Sequence, residues 1–368
     1  MDIERYSRQI AINGFGEAAQ QKLLNASVLV IGAGGLGCPA LQYLVAGGVG
    51  TVGIVDNDIV SLSNLHRQIL YHTSDIGKPK ARVAAEKLKQ LNPDINIIAH
   101  ETWINQNNVL GLLKMYDFIL DGTDNFSSRY LINDAAVLLK KPLIFAAVSA
   151  YEGQLAVFNV PDEENIATNY RDIFPISPEP GEIANCEENG VVGVLPGIIG
   201  TMAAAEVIKL ITGTGEPLTN KLLHYNLLNQ TQYTISLSSA HNYTIIRSEK
   251  EFLKMNYNKS CSLTDVYSEI DIDQMLSLAT QASTILIDVR ERHEIPKLDH
   301  KHFIKIPMSE FEAFLETPIT AENIVLLCQH GIRSVAAAEL LSEKQGNNKN
   351  IYSLKGGISK WRNHFLTV

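Results

Sequence analysis

The stretch SVLVIGAGGLG, Ser27 to Gly37, constrains the fold of this chain more than any other. A short β-branched run gives way to glycines, then to a helical pattern from Cys38 to Ala46, and a second strand, TVGIVD, ends at Asp56. This is β–turn–α–β at the length a parallel crossover needs. Glycine permits positive φ and close backbone approach, so Gly32, Gly34, Gly35 and Gly37 let a helix N-terminus turn its free amides toward phosphate. Asp56 ends the next strand, where an acidic side chain accepts hydrogen bonds from a ribose. Taken alone, the signal fits NAD, FAD, S-adenosylmethionine, ATP or a merely tight turn.

Further buried strands read as INIIAH (Ile95 to His100), the apolar run ending before Asp121, and PLIFAAV (Pro142 to Val148). Helical patterns from Lys78 to Leu91 and from Ser127 to Lys141 separate them. The alternation predicts α/β architecture, a Rossmann-like, mainly parallel sheet with helices on both faces. QLAVFNV and KLLHYNLLNQTQYTISL read as added antiparallel strands. Val191 to Ile211 is apolar enough to suggest a membrane span, but Pro196, Glu206 and Lys209 interrupt it at a cost of several kcal/mol in hydrocarbon, so a buried helix is expected. Beyond Ser238 the chain turns polar, and a smaller α/β pattern comes after it, with TILIDV, NIVLLC, SVAAAELLSEK and NIYSLKGG. At 368 residues two domains are expected, over 1–245 and 268–368, with 246–267 as a linker.

Composition removes several classes. With 31 basic against 40 acidic residues, the net charge of −9 argues against non-specific nucleic-acid binding. The four cysteines, Cys38, Cys186, Cys261 and Cys328, form no C-x-x-C pair, which excludes a disulfide scaffold and a local zinc ribbon. The opening MDIERYSRQIAINGFG has no apolar targeting region. A cytoplasmic protein, with no nucleic acid and no membrane among its partners, is expected.

The residues after Asp56 are more selective. DNDIVSLSNLHRQ brings Asp58, Ser63, Asn64, Arg67 and Gln68, GKPK places Lys80 near a helix start, and DGTDN supplies Asp121, Asp124 and Asn125 after a strand. Each charge alone reads equally well as a solvated loop or a helix cap. Gathered, they suit a nucleoside triphosphate, whose phosphates accumulate charge during displacement. A carboxylate in DGTDN could hold Mg²⁺ through oxygen.

RYSRQI, GAGGLGCP, DNDIVSLSNLHRQ, GKPK and DGTDN, in this order, resemble the MoeB/ThiF family, bacterial relatives of ubiquitin-activating enzymes, over roughly Ile3 to Leu237. The resemblance implies ATP-dependent adenylation of the C-terminal glycine of a ubiquitin-like protein. It assigns the ribose to Asp56, phosphate handling to Asn64, Arg67 and Lys80, and Mg²⁺ to Asp124. It also assigns Arg8 to a nucleotide across a homodimer interface. Cys186, flanked by Glu187 and Glu188, has no local reason to be a thiolate; the resemblance matches it to a cysteine that attacks the adenylate or its thiolated product. Cys38 reads as core packing. The family usually carries two C-x-x-C pairs around a structural zinc. Here Asn169-Tyr170-Arg171-Asp172 stands at the first and only Cys261 near the second, so no zinc is expected.

In the C-terminal part, NIVLLC delivers Cys328 into CQHGIRS before a helix. A thiol at a strand end, ahead of a glycine turn and a helix N-terminus, lies among inward amides that stabilise a persulfide anion. Arg333 closes the loop. Four residues, Gln329 to Ile332, separate the two, a tighter cradle than the Cys-to-Arg loop of phosphatases. LIDVRERHE, IPMSEF, CQHGIRS and NIYSLKGGISKW resemble a rhodanese domain over roughly Ser268 to Val368. That implies a Cys328 persulfide, with Asp288 and Arg290 as a structural pair.

Together the two resemblances imply that one domain activates a carboxylate and the other supplies sulfur to it. The product would be the thiocarboxylate of a carrier of the MoaD or ThiS type. A persulfide or thiosulfate would be the donor, serving molybdopterin synthesis, thiamine synthesis or tRNA thiolation. Three alternatives compete: an NAD-dependent oxidoreductase, which leaves Arg67, Lys80 and Cys328 unexplained; a sulfurtransferase on a non-catalytic ThiF-like scaffold; and a ubiquitin-like-protein activator that holds its carrier as a thioester on Cys186.

Overall fold

The computed structural model describes residues 3–176, 190–239, 243, 245–257, 267–317, 319–345 and 349–365. The chain divides into two compact units, the first closing at Asn258.

The first unit is built on one eight-stranded sheet. Its strands are β1 (Ser27–Ile31), β2 (Thr51–Val55), β3 (Asn96–His100), β4 (Phe118–Asp121), β5 (Leu143–Ser149), β6 (Glu152–Phe158), β7 (Lys221–Asn226) and β8 (Thr231–Ser236). Their order is β3-β2-β1-β4-β5-β6-β7-β8. The first five are parallel, and β6 to β8 add antiparallel, as the sequence pattern predicts. β1 lies between β2 and β4, and its alternate side chains enter two different cores. Val28 and Val30 join Leu41, Leu44, Ala203 and Val207 on one face; Leu29 and Ile31 join Leu113, Ile132 and Phe145 on the other. A strand buried on both faces must be apolar throughout, which is why it reads as an unbroken run. Each such side chain contributes about 1.5–3 kcal/mol by leaving water.

The apolar stretch at Val191 is the buried helix expected of it, Val194–Thr212, packed on β5 and β6. It is the one helix among the described residues long and apolar enough to cross a membrane, yet Leu195, Ile199, Ala203 and Val207 are all in the core.

The second unit is a five-stranded parallel sheet of β9 (Ser268–Ile270), β10 (Thr284–Asp288), β11 (Phe303–Lys305), β12 (Asn323–Leu327) and β13 (Asn350–Leu354). The order is β11-β10-β12-β13-β9. β12 lies at its centre, with Ile324 and Leu326 facing Ala337 and Leu341 of the helix Ile332–Gln345. Val325 and Leu327 face the opposite side, with Ile358 and Phe365.

The expected linker 246–267 is corrected over its first half. Residues 246–257 fold onto the first unit, with Ile246 and Phe252 buried in its core. The Tyr257 hydroxyl donates to Asp134 Oδ2 at 2.8 Å. Polar composition hid three apolar anchors spaced far enough apart to leave no periodic signal.

Candidate functional site

The first site forms where sheet order and chain order diverge. The helix after β1, Gly37–Gly47, covers one face of the sheet and the helix after β4, Phe126–Leu139, covers the other, which opens a crevice beyond the strand ends. A cleft with about 980 Å³ of free space, solvent included, occupies it. Gly32 makes the turn. Its φ is +93° and an added Cβ would stand 2.9 Å from the Gly122 carbonyl oxygen, so no other residue fits. Gly34 and Gly35 line the cleft, while Gly37 sits so close to the Gly32 carbonyl that a Cβ would overlap it.

Asp56 is fixed by two backbone amides, accepting from Ala33 N–H through Oδ2 and from Asp58 N–H through Oδ1, both at 2.8 Å. Burial pushes its carboxyl up from the usual range and the nearby Lys80 ammonium opposes the rise. Lys80, 5% exposed, is a buried cation at the cleft wall whose Nζ lies 2.8 Å from Asp58 Oδ2. Arg67 and Gln68 line the same wall. Gln68 is buried with its Oε1 unpartnered, an acceptor held ready beside the glycine turn. Asp124 and Asn125 line the far side, and Asn125 also caps its helix by accepting from Ser128 N–H at 2.9 Å.

Four of the predicted nucleotide residues stand outside the wall: Gly37, packed beneath the turn, and Ser63, Asn64 and Arg8. Ser63 and Asn64 build the turn that presents the others, the Asn64 carbonyl accepting from Arg67 N–H at 3.0 Å and Gln68 N–H at 2.9 Å. Arg8 is exposed on the helix Ile3–Ile10. Cys38 is core, as expected; burial pushes its thiol up to about 12.

Sequence reading missed Arg129 and the loop at Thr102, Trp103 and Ile104, all of which line the cleft. Arg129 Nη2 donates to the Thr123 carbonyl at 3.0 Å, and its guanidinium faces the rings of Phe126 and Phe145. It thereby holds the backbone that carries Asp124. Mg²⁺ is usually bound by one or two carboxylates together with substrate phosphates. Asp124 and Asn125 on the cleft wall fit such a role, although no cluster of three metal-ligating residues occurs among the described residues.

Where the family's first zinc pair would fall, polar side chains bind one another. Asn169 caps the turn Tyr170–Ile173 and donates to the Tyr243 hydroxyl. Arg171 grips Asp134 through two bonds of 2.7 Å, and Tyr257 adds a third to that carboxylate. Nothing in this set offers a thiolate or imidazole to zinc. Cys261 and Cys186 lie outside the described residues.

In the second unit, β12 ends one residue before Cys328, which is buried. Gly331 N–H donates to its Sγ at 3.1 Å and the Ser334 hydroxyl lies 3.6 Å away. The floor beneath is Gly357, at φ +59°; an added Cβ would stand 2.5 Å from the Cys328 carbonyl oxygen and 2.6 Å from Gly331 N. Both Nη atoms of Arg333 donate to Glu294, at 2.6 and 2.8 Å. It closes the loop by clamping it to the segment after β10. Burial pushes the Glu294 carboxyl up, but Arg333 and the Glu291 amide outweigh this and hold it down at about 2. Asp288 and Arg290 form the structural pair expected, through bonds of 3.0 and 2.9 Å.

The ThiF family profile matches residues 6–244 and the rhodanese-like domain profile residues 271–364. The chain belongs to the ThiF family and carries a rhodanese-like domain at its C-terminal end. It is 38% identical over 366 residues to the probable adenylyltransferase/sulfurtransferase MoeZ of Mycobacterium tuberculosis, covering 98% of this chain and 93% of that one. Identity to the adenylyltransferase and sulfurtransferase UBA4 of Saccharomyces cerevisiae is 35% over 392 residues, covering 98% and 88%. A match of 228 residues at 49% relates it to a sulfur carrier protein adenylyltransferase of Thermus thermophilus, covering 62% and 84%. Among solved structures, E. coli MccB with ATP superposes with a TM-score of 0.55 over 66% of this chain and 73% of that one. At 23% identity, that likeness speaks for the fold alone.

Proposed function

We propose that this chain adenylates the C-terminal glycine of a ubiquitin-like sulfur carrier and then supplies sulfur to it from a Cys328 persulfide. The observation that carries the reading is one cleft lined by Asp56, Arg67, Gln68, Lys80, Asp124 and Asn125, in a chain that also holds a cysteine under an amide.

A carboxylate resists sulfur attack because it is anionic and oxide is a poor leaving group. In the proposed first step the carrier carboxylate attacks the α-phosphorus of ATP and pyrophosphate leaves. Lys80 and Arg67 offset the repulsion between the two anions, and the glycine turn presents amides to the phosphates. Asp56 holds the ribose. Mg²⁺, held by Asp124 with Asn125 beside it, would neutralise phosphate charge. Arg8 reaches the nucleotide of a second copy, so the active form is a homodimer. In the second step the outer sulfur of Cys328–S–S⁻ attacks the acyl carbon and AMP leaves. A thiol, either Cys186 or an external reductant, then attacks Sγ of Cys328 and releases the carrier thiocarboxylate, leaving a disulfide to be reduced.

The test is intact-mass spectrometry of a MoaD- or ThiS-type carrier incubated with the protein, MgATP and thiosulfate. A gain equal to one oxygen replaced by sulfur, lost without ATP and lost in Cys328→Ser, supports the whole scheme. An ATP-dependent adenylate that never gains sulfur removes the role of Cys328. Neither species, with every carrier tried, favours the scaffold reading.

A further inference from the structure

The outer wall of the nucleotide cleft is the loop after β3, and its largest side chain has no evident structural duty. Trp103 lines the cleft yet is 60% exposed. Its backbone, by contrast, is held firmly. The Trp103 carbonyl accepts from Asn108 Nδ2 at 2.7 Å and from Asn105 Nδ2 at 3.2 Å. Gln106 Nε2 ties the same loop to residues 246–257, donating to the carbonyls of Phe252 and Met255 at 2.7 Å each. Several hydrogen bonds thus fix a loop that leaves an indole in water, where its apolar faces gain nothing.

The geometry of the cleft supplies the missing partner. Phosphates belong at the glycine turn after β1 and the ribose at Asp56, at the end of β2. Continuing along the sheet edge in the same direction carries the base past β2 to the end of β3. Val55, at the end of β2, and Ile104, in the loop after β3, line the cleft there as apolar side chains. A purine in that place would lie against that aliphatic surface, and the Trp103 ring, carried on a pinned backbone at the cleft wall, is the group to cover its other face. Such a ring discriminates by overlap area, and purines offer more than pyrimidines.

We infer that Trp103 stacks on the nucleobase and sets the preference for a purine nucleoside triphosphate, an assignment that rests on the proposed adenylation. It is a positioning residue, remote from the reacting carboxylate and α-phosphorus. The chain has two tryptophans, so Trp361→Phe leaves Trp103 as the sole indole reporter in the full-length protein. ATP should quench its emission saturably, and CTP should do so far less. By equilibrium dialysis, Trp103→Ala should weaken ATP binding about tenfold while Trp103→Phe recovers most of it, the usual scale of base–aromatic stacking. In ATP–pyrophosphate exchange the loss in Trp103→Ala should fall on KM, with kcat kept.

If ATP binds by dialysis without altering Trp103 emission, and Trp103→Ala binds it as tightly as the parent, stacking is refuted while adenylation stands. A Trp103→Ala loss in kcat alone would also refute it. If ATP does not bind the parent protein at all, the adenylation reading fails and the assignment fails with it.

Discussion

Gly357 offers the sharpest separation of the two chemistries. It lies under the cysteine turn with φ +59°, and an alanine there would place its methyl 2.5 Å from the Cys328 carbonyl oxygen and 2.6 Å from Gly331 N. Both obstacles are backbone, so no rotamer change relieves them. The left-handed conformation costs an L-residue about 1–2 kcal/mol, and forcing a methyl into occupied space adds about 1–3 kcal/mol. The sum, about 2–5 kcal/mol, is a large share of the 5–15 kcal/mol typical of a whole domain. The least strained outcome moves the turn, which withdraws the Gly331 amide from the sulfur. Gly357→Ala should therefore lower the melting transition of the second unit by about 8 °C or more. It should also abolish the gain of one sulfur atom on Cys328 after exposure to thiosulfate, while ATP–pyrophosphate exchange by the first unit holds within about twofold. Sulfur loading at the parental rate with an unshifted transition would refute the argument that Gly357 shapes the cradle.

Lys80→Ala removes a buried cation of the cleft and should cut adenylation about 100-fold or more, measured as ATP–pyrophosphate exchange, with melting little changed because its partner Asp58 is exposed and can solvate itself. Glu294 has an ordinary value of 4.5 and is held at about 2 in the fold. A lowered carboxylate contributes stability that is present above 4.5 and lost as pH falls toward 2. Allowing for its partial exposure, that is about 1–3 kcal/mol. Denaturant titrations of parent and Glu294→Gln should differ by this amount at pH 6 and converge near pH 2. Tyr257→Phe deletes the hydroxyl that donates to Asp134 and should cost the first unit about 1 kcal/mol by denaturant melting. A strong chelator, added without nucleotide, should leave that unit's melting unmoved, since polar side chains stand where the family's first zinc pair would lie.

The sheet cores were legible because burial on both faces writes a strand as an unbroken apolar run, and glycines mark where β1 stops. Helix ends fell within two residues for Gly37–Gly47 and Phe126–Leu139. β9 and β11 went unread; at three residues each they are too short to carry a period. Asp56, Lys80, Arg67 and Asp124 were readable as an unusual gathering of charge. Arg129 was not, because its position depends on Phe145, brought alongside by the pairing of β4 with β5. Trp103 escaped for a related reason: an aromatic in a polar loop acquires meaning only when the end of β3 is placed beside β2. The Arg333–Glu294 clamp joins residues 39 apart, and nothing local announces it.

The order of the smaller sheet has a bearing on when its chemistry can begin. β9 is the first strand made and β13 the last, yet they are neighbours. The two residues that floor and cap the Cys328 carbonyl, Gly357 and Ile358, are later still. A chain still emerging from a ribosome can therefore assemble the nucleotide cleft while β9 waits for a partner and the cysteine turn lacks its floor. Closing so long a loop is the slow kind of pairing. The half that carries the nucleotide cleft can thus form before the half that carries Cys328, and a nascent or C-terminally truncated chain lacks the floor of the cysteine turn.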